Sequence, residues 1–290
     1  MNDDKKLTKS NINWYPGHMA KTKREIKEKI DLIDIVYEVI DARMPYSSKI
    51  VDIDDYIKDK PRILIVNKYD LCDKSVTDKF IDDYKKLYPV IKTDLKNNSN
   101  VTKELLALTD KILLSLNQKR EEKGLSKRSY RALVVGVPNV GKSTLINRLA
   151  GRNVTKTANM AGVTKNLSWI RVNKNIELLD SPGILWPKIE DANVSLNLAS
   201  LTSIKEEILD SEELARYIIK FLYNNYPHIL KEKYGIETIT DDLLDAFNMI
   251  AKKRGALLKG GIPDYEKVYM IIINDLKNGT IKNVTFDVYK

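Results

Sequence analysis

Gly136-Val137-Pro138-Asn139-Val140-Gly141-Lys142-Ser143-Thr144 is the stretch that decides how this chain is read. It follows an apolar, strand-like run, Ala132-Leu133-Val134-Val135, and opens a helix-like one, Ser143 to Ala150. A glycine-rich turn in that setting aims backbone N–H groups at one point, and the helix N-terminus adds a positive dipole end. Residues Asn139 to Thr144 can therefore cradle a polyphosphate. Lys142 would reach the β- and γ-phosphates, and the Ser143 hydroxyl would ligate Mg²⁺. An ordinary glycine turn is the bland alternative, and the strand-to-helix placement argues against it.

The base is chosen upstream. Asn67-Lys68-Tyr69-Asp70 follows a second apolar run, Ile63-Leu64-Ile65-Val66. A carboxylate at Asp70 can accept from both the ring N–H and the exocyclic amine of guanine, a donor pair that adenine lacks. A site built on that pairing rejects the wrong base strongly, because its polar group would be left unpaired. Asn67 would tie this loop to the phosphate loop, and the Lys68 stem would lie along the base.

Two further stretches complete the set. Asp180-Ser181-Pro182-Gly183 follows Ile176-Glu177-Leu178-Leu179. Asp180 would hold the metal through water, and the Gly183 N–H would sense the γ-phosphate. Thr164 lies between the phosphate loop and Asp180, where a switch threonine on Mg²⁺ is expected. Asp94-Leu95-Lys96, after Val90-Ile91-Lys92-Thr93, stands where a ribose-side guanine loop would be, with Leu95 and Lys96 as its contacts. It is the weakest element, since such residues are common in loops.

The order of these motifs is rotated. The guanine motif (67–70) precedes the phosphate loop (136–144), Thr164 and Asp180, which is the order of a circularly permuted GTPase. Termini tend to lie close together at a domain surface, so permutation is physically tolerated. The segment after Gly183 then runs into the C-terminal part, so nucleotide state is expected to pull on a second domain through a short covalent tether.

Strand-like runs at 33–40, 62–67, 89–93, 131–136, 167–172 and 176–180 alternate with helix-like runs at 75–87, 100–118 and 143–151. A basic helix-like segment at 17–31 precedes them, with Met19, Ile26 and Ile30 as its buried stripe. The pattern predicts an α/β fold: a mainly parallel sheet covered on both faces, with ligands beyond the carboxyl ends of its strands. Lys119 to Arg131 reads as a charged connector. After about residue 190 no strand pattern recurs, and amphipathic helices are expected at 211–226, 240–253 and 263–277. The expected division is a GTPase domain over 1–190 and a small all-α domain over 191–290.

Composition sets outer limits. The 290 residues are 43% hydrophobic, enough to bury a sizeable core, and no apolar run approaches a membrane span. The polar N-terminus carries no secretory signal, and the single Cys72 fits a reducing compartment, so a cytoplasmic location is expected. The formal charge is +9, unevenly spread. Between Lys111 and Lys174 stand 14 Lys/Arg against Glu121 and Glu122, a net of +12; residues 211–290 carry 12 basic and 11 acidic residues, a net of +1. Such a field attracts a polyanion such as RNA, although solvation of a helix and neutralisation of nucleotide phosphate would also use it. Near the end, Lys252-Lys253-Arg254 and Lys259 precede Gly260-Gly261. That cluster can hold RNA phosphates, or it can be a solvated helix end with a glycine cap.

Four more stretches carry a resemblance. Trp14-Tyr15-Pro16-Gly17-His18-Met19-Ala20-Lys21, Asp41-Ala42-Arg43-Met44-Pro45-Tyr46-Ser47-Ser48, Arg254-Gly255 and Lys259-Gly260-Gly261, with the nucleotide motifs, make the chain similar to the circularly permuted ribosome-biogenesis GTPases. Within them it most resembles the ribosome biogenesis GTPase A (YlqF-like) family, from about residue 13 to 290. Ala161 replaces a usual proline, Ser181 a usual threonine, and the Asp94–Lys96 loop matches poorly.

The resemblance implies a GTP-hydrolysing assembly factor for the large ribosomal subunit. It implies GTP/GDP and a large-subunit precursor as partners, and RNA contact by Lys252, Lys253, Arg254 and Lys259; a monomer in solution is the expectation. It bears on catalysis too. Many GTPases orient the attacking water with a glutamine directly after Asp-x-x-Gly. That position here is Ile184, which has no group to bond water. The resemblance points to His18 instead, whose neutral imidazole can accept from water. It also places a K⁺ ion near Asn139, supplying charge otherwise given by an arginine finger. Two other classes stay open on residues alone. The Pro-Gly-His-Met and Arg-Gly segments argue against a GTPase switch in another RNA process such as tRNA modification. Intact Lys142, Thr164 and Asp180 argue against a non-catalytic RNA scaffold that merely holds GTP.

Overall fold

In the computed structural model of the protein, residues 17–124, 128–155, 167–172, 175–185, 189–201 and 210–289 are described, without the side chains of residues 17 and 18. The apolar runs form one sheet among the described residues: β1 (Ile35–Asp41), β2 (Arg62–Asn67), β3 (Val90–Lys92), β4 (Tyr130–Val135), β5 (Ser168–Arg171) and β6 (Ile176–Asp180). The spatial order is β3-β2-β1-β4-β6-β5. All neighbours run parallel except β5, which pairs antiparallel with β6.

The continuous apolar character of β2 has a direct cause. Ile63 and Ile65 enter one core cluster with Val101, Leu105 and Leu113, while Leu64 and Val66 enter another with Cys72 and Ile81. Successive side chains of a strand face opposite ways, so both sheet faces are covered and both must be apolar. Helix α3 (Lys74–Lys85) covers one face and α4 (Val101–Glu122) the other. Asp73 starts α3 by accepting from the Ser75 N–H at 2.9 Å. Helix α1 (Gly17–Lys29) and a short helix, α2 (Asp54–Ile57), come before α3. Met19, Ile26 and Ile30 are buried as the spacing predicts. Helix α5 (Lys142–Ala150) follows the glycine-rich loop.

β1 is the topological pivot. From it the chain winds outward through β2 and β3, then returns to the other side through β4 and β6. In open α/β sheets the crevice at such a reversal, beyond the strand carboxyl ends, is where ligands bind. Asp41, Asn67, Gly136 and Asp180 end or directly follow β1, β2, β4 and β6 at that edge.

The C-terminal part is helical: α6 (Ala192–Leu201), α7 (Ser211–Asn225), α8 (Pro227–Tyr234), α9 (Leu244–Arg254) and α10 (Tyr265–Lys277). Three helices lie near their expected spans. The 240–253 expectation starts early: Leu243 takes a left-handed conformation, φ 58°, and Asp242 accepts from the Leu244 N–H at 3.1 Å. Helices α6 and α8 are not in the sequence reading, and α4 extends to Glu122, into the stretch read as connector. The tail after α10 packs against the sheet portion. Val284 N–H donates to the Leu71 carbonyl (3.3 Å) and Phe286 N–H to the Arg43 carbonyl (2.7 Å). The short tether expected from sequence is therefore supplemented by direct packing. No helix among the described residues is long and apolar enough to cross a membrane.

Candidate active site

The loop from Gly136 to Gly141 is built by close approach. A Cβ on Gly141, where φ is 111°, would stand 2.3 Å from Asn67 Nδ2. A Cβ on Gly183 would stand 2.8 Å from Pro138 backbone and ring atoms. Only glycine lets these three segments meet. Asn139 takes a left-handed conformation, φ 62°, as does Lys68, φ 60°.

Hydrogen bonds join the loops. Asn67 Nδ2 donates to the Val140 carbonyl (2.6 Å), and Asn67 Oδ1 accepts from the Leu95 N–H (3.0 Å). One amide thus holds the phosphate loop and the 94–96 loop together. Lys68 Nζ donates to the Asn139 carbonyl at 2.9 Å and to Asp41 Oδ2 at 2.8 Å. Arg148, on α5, donates to the Leu95 carbonyl through Nε (3.2 Å) and Nη2 (3.0 Å), and to the Lys96 carbonyl. Asp94 accepts from the Lys96 N–H at 2.9 Å. Asp70 is exposed at the rim of this loop.

Lys142 is buried at the start of α5, with Nζ donating to the carbonyls of Gly136 (3.0 Å) and Val137 (2.9 Å). Burial pushes its ammonium down to about 8, with the Asp180 charge partly opposing. Ser143 and Thr144 follow it in the first turn, where backbone N–H groups have no partner within the helix. Asp180 is buried at the end of β6, directly beside β4 through the Val134–Asp180 register. Ser143 and Asp180 offer a hydroxyl and a carboxylate, hard oxygen donors that suit Mg²⁺. Ile184 is fully buried, and its N–H donates to the Gly136 carbonyl at 3.2 Å. It serves the core and the loop, away from water.

The structure brings together Asn67, Lys68, Leu95, Asn139, Val140, Gly141, Lys142 and Gly183, with Lys96, Asp70, Ser143, Thr144 and Asp180 on the same edge. Thr164 lies outside the described residues, as does the side chain of His18, whose backbone stands in the first turn of α1. Lys252, Lys253, Arg254 and Lys259 stand apart, on the end of α9 and the turn after it, all exposed. The Arg254 guanidinium pairs with Asp275, bonding Oδ1 through Nη2 at 3.2 Å, and so fastens α9 to α10. After α9 a tight hairpin closes with Leu258 N–H on the Ile262 carbonyl (2.7 Å); Gly260 and Gly261 supply its positive φ angles, 91° and 79°.

Sequence reasoning missed Asp41 as a partner of Lys68 and Arg148 as the clamp on the 95–96 loop. The Asp41-Ala42-Arg43 stretch stood out only through resemblance. Arg148 left no signal, since a basic residue in the last turn of a helix is ordinary.

Comparison with known proteins agrees with this architecture. Residues 131–250 match the 50S ribosome-binding GTPase family. The chain is 44% identical to ribosome biogenesis GTPase A of Bacillus licheniformis, covering 95% of this chain and 98% of the relative. It is 31% identical to that of Thermotoga maritima, covering 95% and 94%. Among solved structures, a GDP-bound YlqF superposes with a TM-score of 0.63 at 29% identity, covering 91% of this chain and 99% of that one. A GNP-bound YlqF from T. maritima gives 0.62 at 28%, covering 92% and 98%. The chain belongs to the ribosome biogenesis GTPase A family and is a GTP-hydrolysing enzyme whose motifs run in circularly permuted order.

Proposed function

We propose that this GTPase is a cytoplasmic assembly factor for the large ribosomal subunit, docking as a monomer on precursor particles in one nucleotide state and leaving in the other. The supporting observation is the Asn67 amide, which bonds the phosphate loop and the 94–96 loop at once. Guanine recognition and phosphate binding then form one unit. Asp70 pairs with the guanine edge, and Leu95 and Lys96 close over the base. The N–H groups of Asn139 to Thr144 take the phosphates, while Lys142 leaves the loop carbonyls for the β- and γ-phosphates. Mg²⁺ bound with the nucleotide would neutralise phosphate charge, and Ser143, Thr164 and Asp180 are the residues that would hold it. Gly183 reads the γ-phosphate through its N–H.

With Ile184 committed to the core, His18 is the group assigned to orient the attacking water. A K⁺ ion beside Asn139 would supply charge that an arginine finger gives in other GTPases, and equal rates in potassium and sodium buffers would remove it. Exposed Lys252, Lys253 and Lys259, with Arg254 beside them, are assigned to rRNA phosphates.

The deciding experiment measures GTP hydrolysis with and without large-subunit precursor particles, and particle affinity with GDP and a non-hydrolysable GTP analogue. Stimulation by particles and nucleotide-dependent affinity are expected. Equal affinity in both states would end the docking cycle. His18→Ala is expected to keep GTP affinity and lose stimulated single-turnover hydrolysis; a wild-type rate would remove His18 from the mechanism.

A further inference from the structure

Asp41 ends the central strand β1 at the sheet reversal, and its carboxylate is buried. Oδ1 accepts from the Arg43 N–H and from Arg43 Nε, both at 3.0 Å. Oδ2 accepts from Arg43 Nη2 and from Lys68 Nζ, both at 2.8 Å. Burial alone would raise this carboxyl, but the two cations outweigh it and hold it far below the usual carboxylate range. The group is a permanent anion.

Its two cations point opposite ways. The Lys68 ammonium continues to the carbonyl of Asn139, the phosphate-loop residue held in a left-handed conformation. Asn adopts that conformation more readily than other residues with a side chain, and the Lys68 bond to its carbonyl adds a hold from outside the loop. The Arg43 guanidinium is fully buried, and its remaining arm, Nη1, donates to the Leu276 carbonyl at 2.6 Å. Leu276 lies in the last turn of α10, where a cation complements the negative end of the helix dipole. A continuous chain therefore runs from the Asn139 carbonyl through half-buried Lys68 and buried Asp41 and Arg43 to the end of α10. The three side chains in it, Lys68, Asp41 and Arg43, all carry charge.

We propose that Asp41 and Arg43 are positioning residues for nucleotide binding: Asp41 seats the Lys68 ammonium on the phosphate loop, and Arg43 seats Asp41 by standing on the carbonyl end of α10. The affinity for guanine nucleotide is thus set in part by how the C-terminal helix is docked. This rests on the reading that the loop after β4 binds the phosphates.

The test uses the full chain and a fluorescent GDP analogue. Lys142→Ala checks the underlying site and should abolish binding; if it binds normally, the site reading itself fails. Asp41→Asn keeps the shape and removes the charge, and should weaken GDP about tenfold, mainly through faster release, as expected for loss of a charge-assisted hydrogen bond. Arg43→Lys keeps a cation but cannot fork between Asp41 and Leu276, and should weaken GDP a few-fold. Asp41→Asn also strands a buried guanidinium, so circular dichroism and thermal melting establish that the variant is folded. Should it not fold, Arg43→Lys carries the test. The discriminating readout is a double-mutant cycle with Lys68→Met. If Asp41 acts through Lys68, its effect on GDP affinity should vanish in the Lys68→Met background. Additive effects, or wild-type GDP affinity in folded Asp41→Asn or Arg43→Lys while Lys142→Ala is dead, would overturn the proposal.

Discussion

Raising the pH should loosen guanine nucleotide through a single lysine. Burial holds the Lys142 ammonium at about 8 while it rests on the Gly136 and Val137 carbonyls. A polyphosphate favours the charged lysine, so its pKa rises when nucleotide binds. The sign follows from linkage: the state that binds the proton more tightly is the nucleotide-bound one, so affinity is full below about 8 and is lost as pH rises through it. The dissociation constant scales with one plus the ratio of neutral to charged lysine in the free protein. Between pH 7 and pH 8.5 that factor grows about fourfold, and each further unit adds about tenfold until the bound pKa is reached. Fluorescent GDP titrations at constant ionic strength measure the slope. Calorimetry at pH 8 in buffers of different ionisation enthalpy measures the proton taken up. Lys142→Arg supplies the control, because a guanidinium stays charged throughout; its affinity should be flat over the same interval. A wild-type affinity that is flat from pH 7 to 8.5, with no proton uptake, would refute the buried-lysine argument.

Three other perturbations address separate parts of the site. Gly141→Ala places a Cβ 2.3 Å from Asn67 Nδ2 at a φ of 111°, so the amide must leave the Val140 carbonyl; the strain and the lost bond together should cost about 2–4 kcal/mol in thermal or urea unfolding, with nucleotide binding lost. Asp70→Asn should weaken guanine nucleotides by a hundredfold or more and favour xanthine nucleotides, on the order seen when a site loses a buried polar pairing; competition titration with GDP and XDP reads this directly. Arg148→Ala removes the bonds to the Leu95 and Lys96 carbonyls and should raise GDP release severalfold, with a loss of stability of about 1–3 kcal/mol from the part-buried Leu95 carbonyl; stopped-flow release and thermal melting give the answer.

What was legible in the sequence follows from which physics is local. The parallel strands were readable because burial on both faces forces unbroken apolar runs, as in Ile63 to Val66. The motifs were readable because a strand-to-loop transition and a glycine turn are written within a few residues. Helix α6 was not, because every residue from Val194 to Leu201 is buried, polar ones included. A helix enclosed on all sides shows no amphipathic period. Helix α8 is only eight residues long and was hidden behind Pro227, which the structure places at its first turn. Asp41 finds Lys68 27 positions away, and its neighbour Arg43 finds Leu276 233 positions away. No spacing rule reaches that far. Arg254 shows the converse, since a basic cluster read as one surface includes a side chain committed to Asp275.

The permutation makes the stretch after Gly183 the covalent route into the helical part, and a flexible pull was the natural expectation. The hydrogen bonds argue for a stiffer connection. Asp287, near the chain end, accepts from the Tyr46 N–H (2.7 Å) and the Ser47 N–H (2.9 Å) on Oδ2, and from the Ser47 hydroxyl and Asn197 Nδ2 (3.0 Å) on Oδ1. Asn197 belongs to α6, and its Oδ1 accepts from the Tyr217 hydroxyl of α7 at 2.6 Å. Thr285 bonds Thr77 at 2.7 Å, joining the tail to α3. Burial raises the Asp287 carboxyl above the usual carboxylate range, and the four donors oppose that rise only in part. Sliding the helical part on the sheet would strand these groups together with the Arg43 guanidinium, at about 1–3 kcal/mol for each neutral group and more for each charge. A nucleotide-dependent change that spared those bonds would leave the helical part and the sheet moving as one body. The loops at the strand ends would then do the changing, and the end of α10 would feel it through Asp41 and Arg43 rather than through slack in the chain.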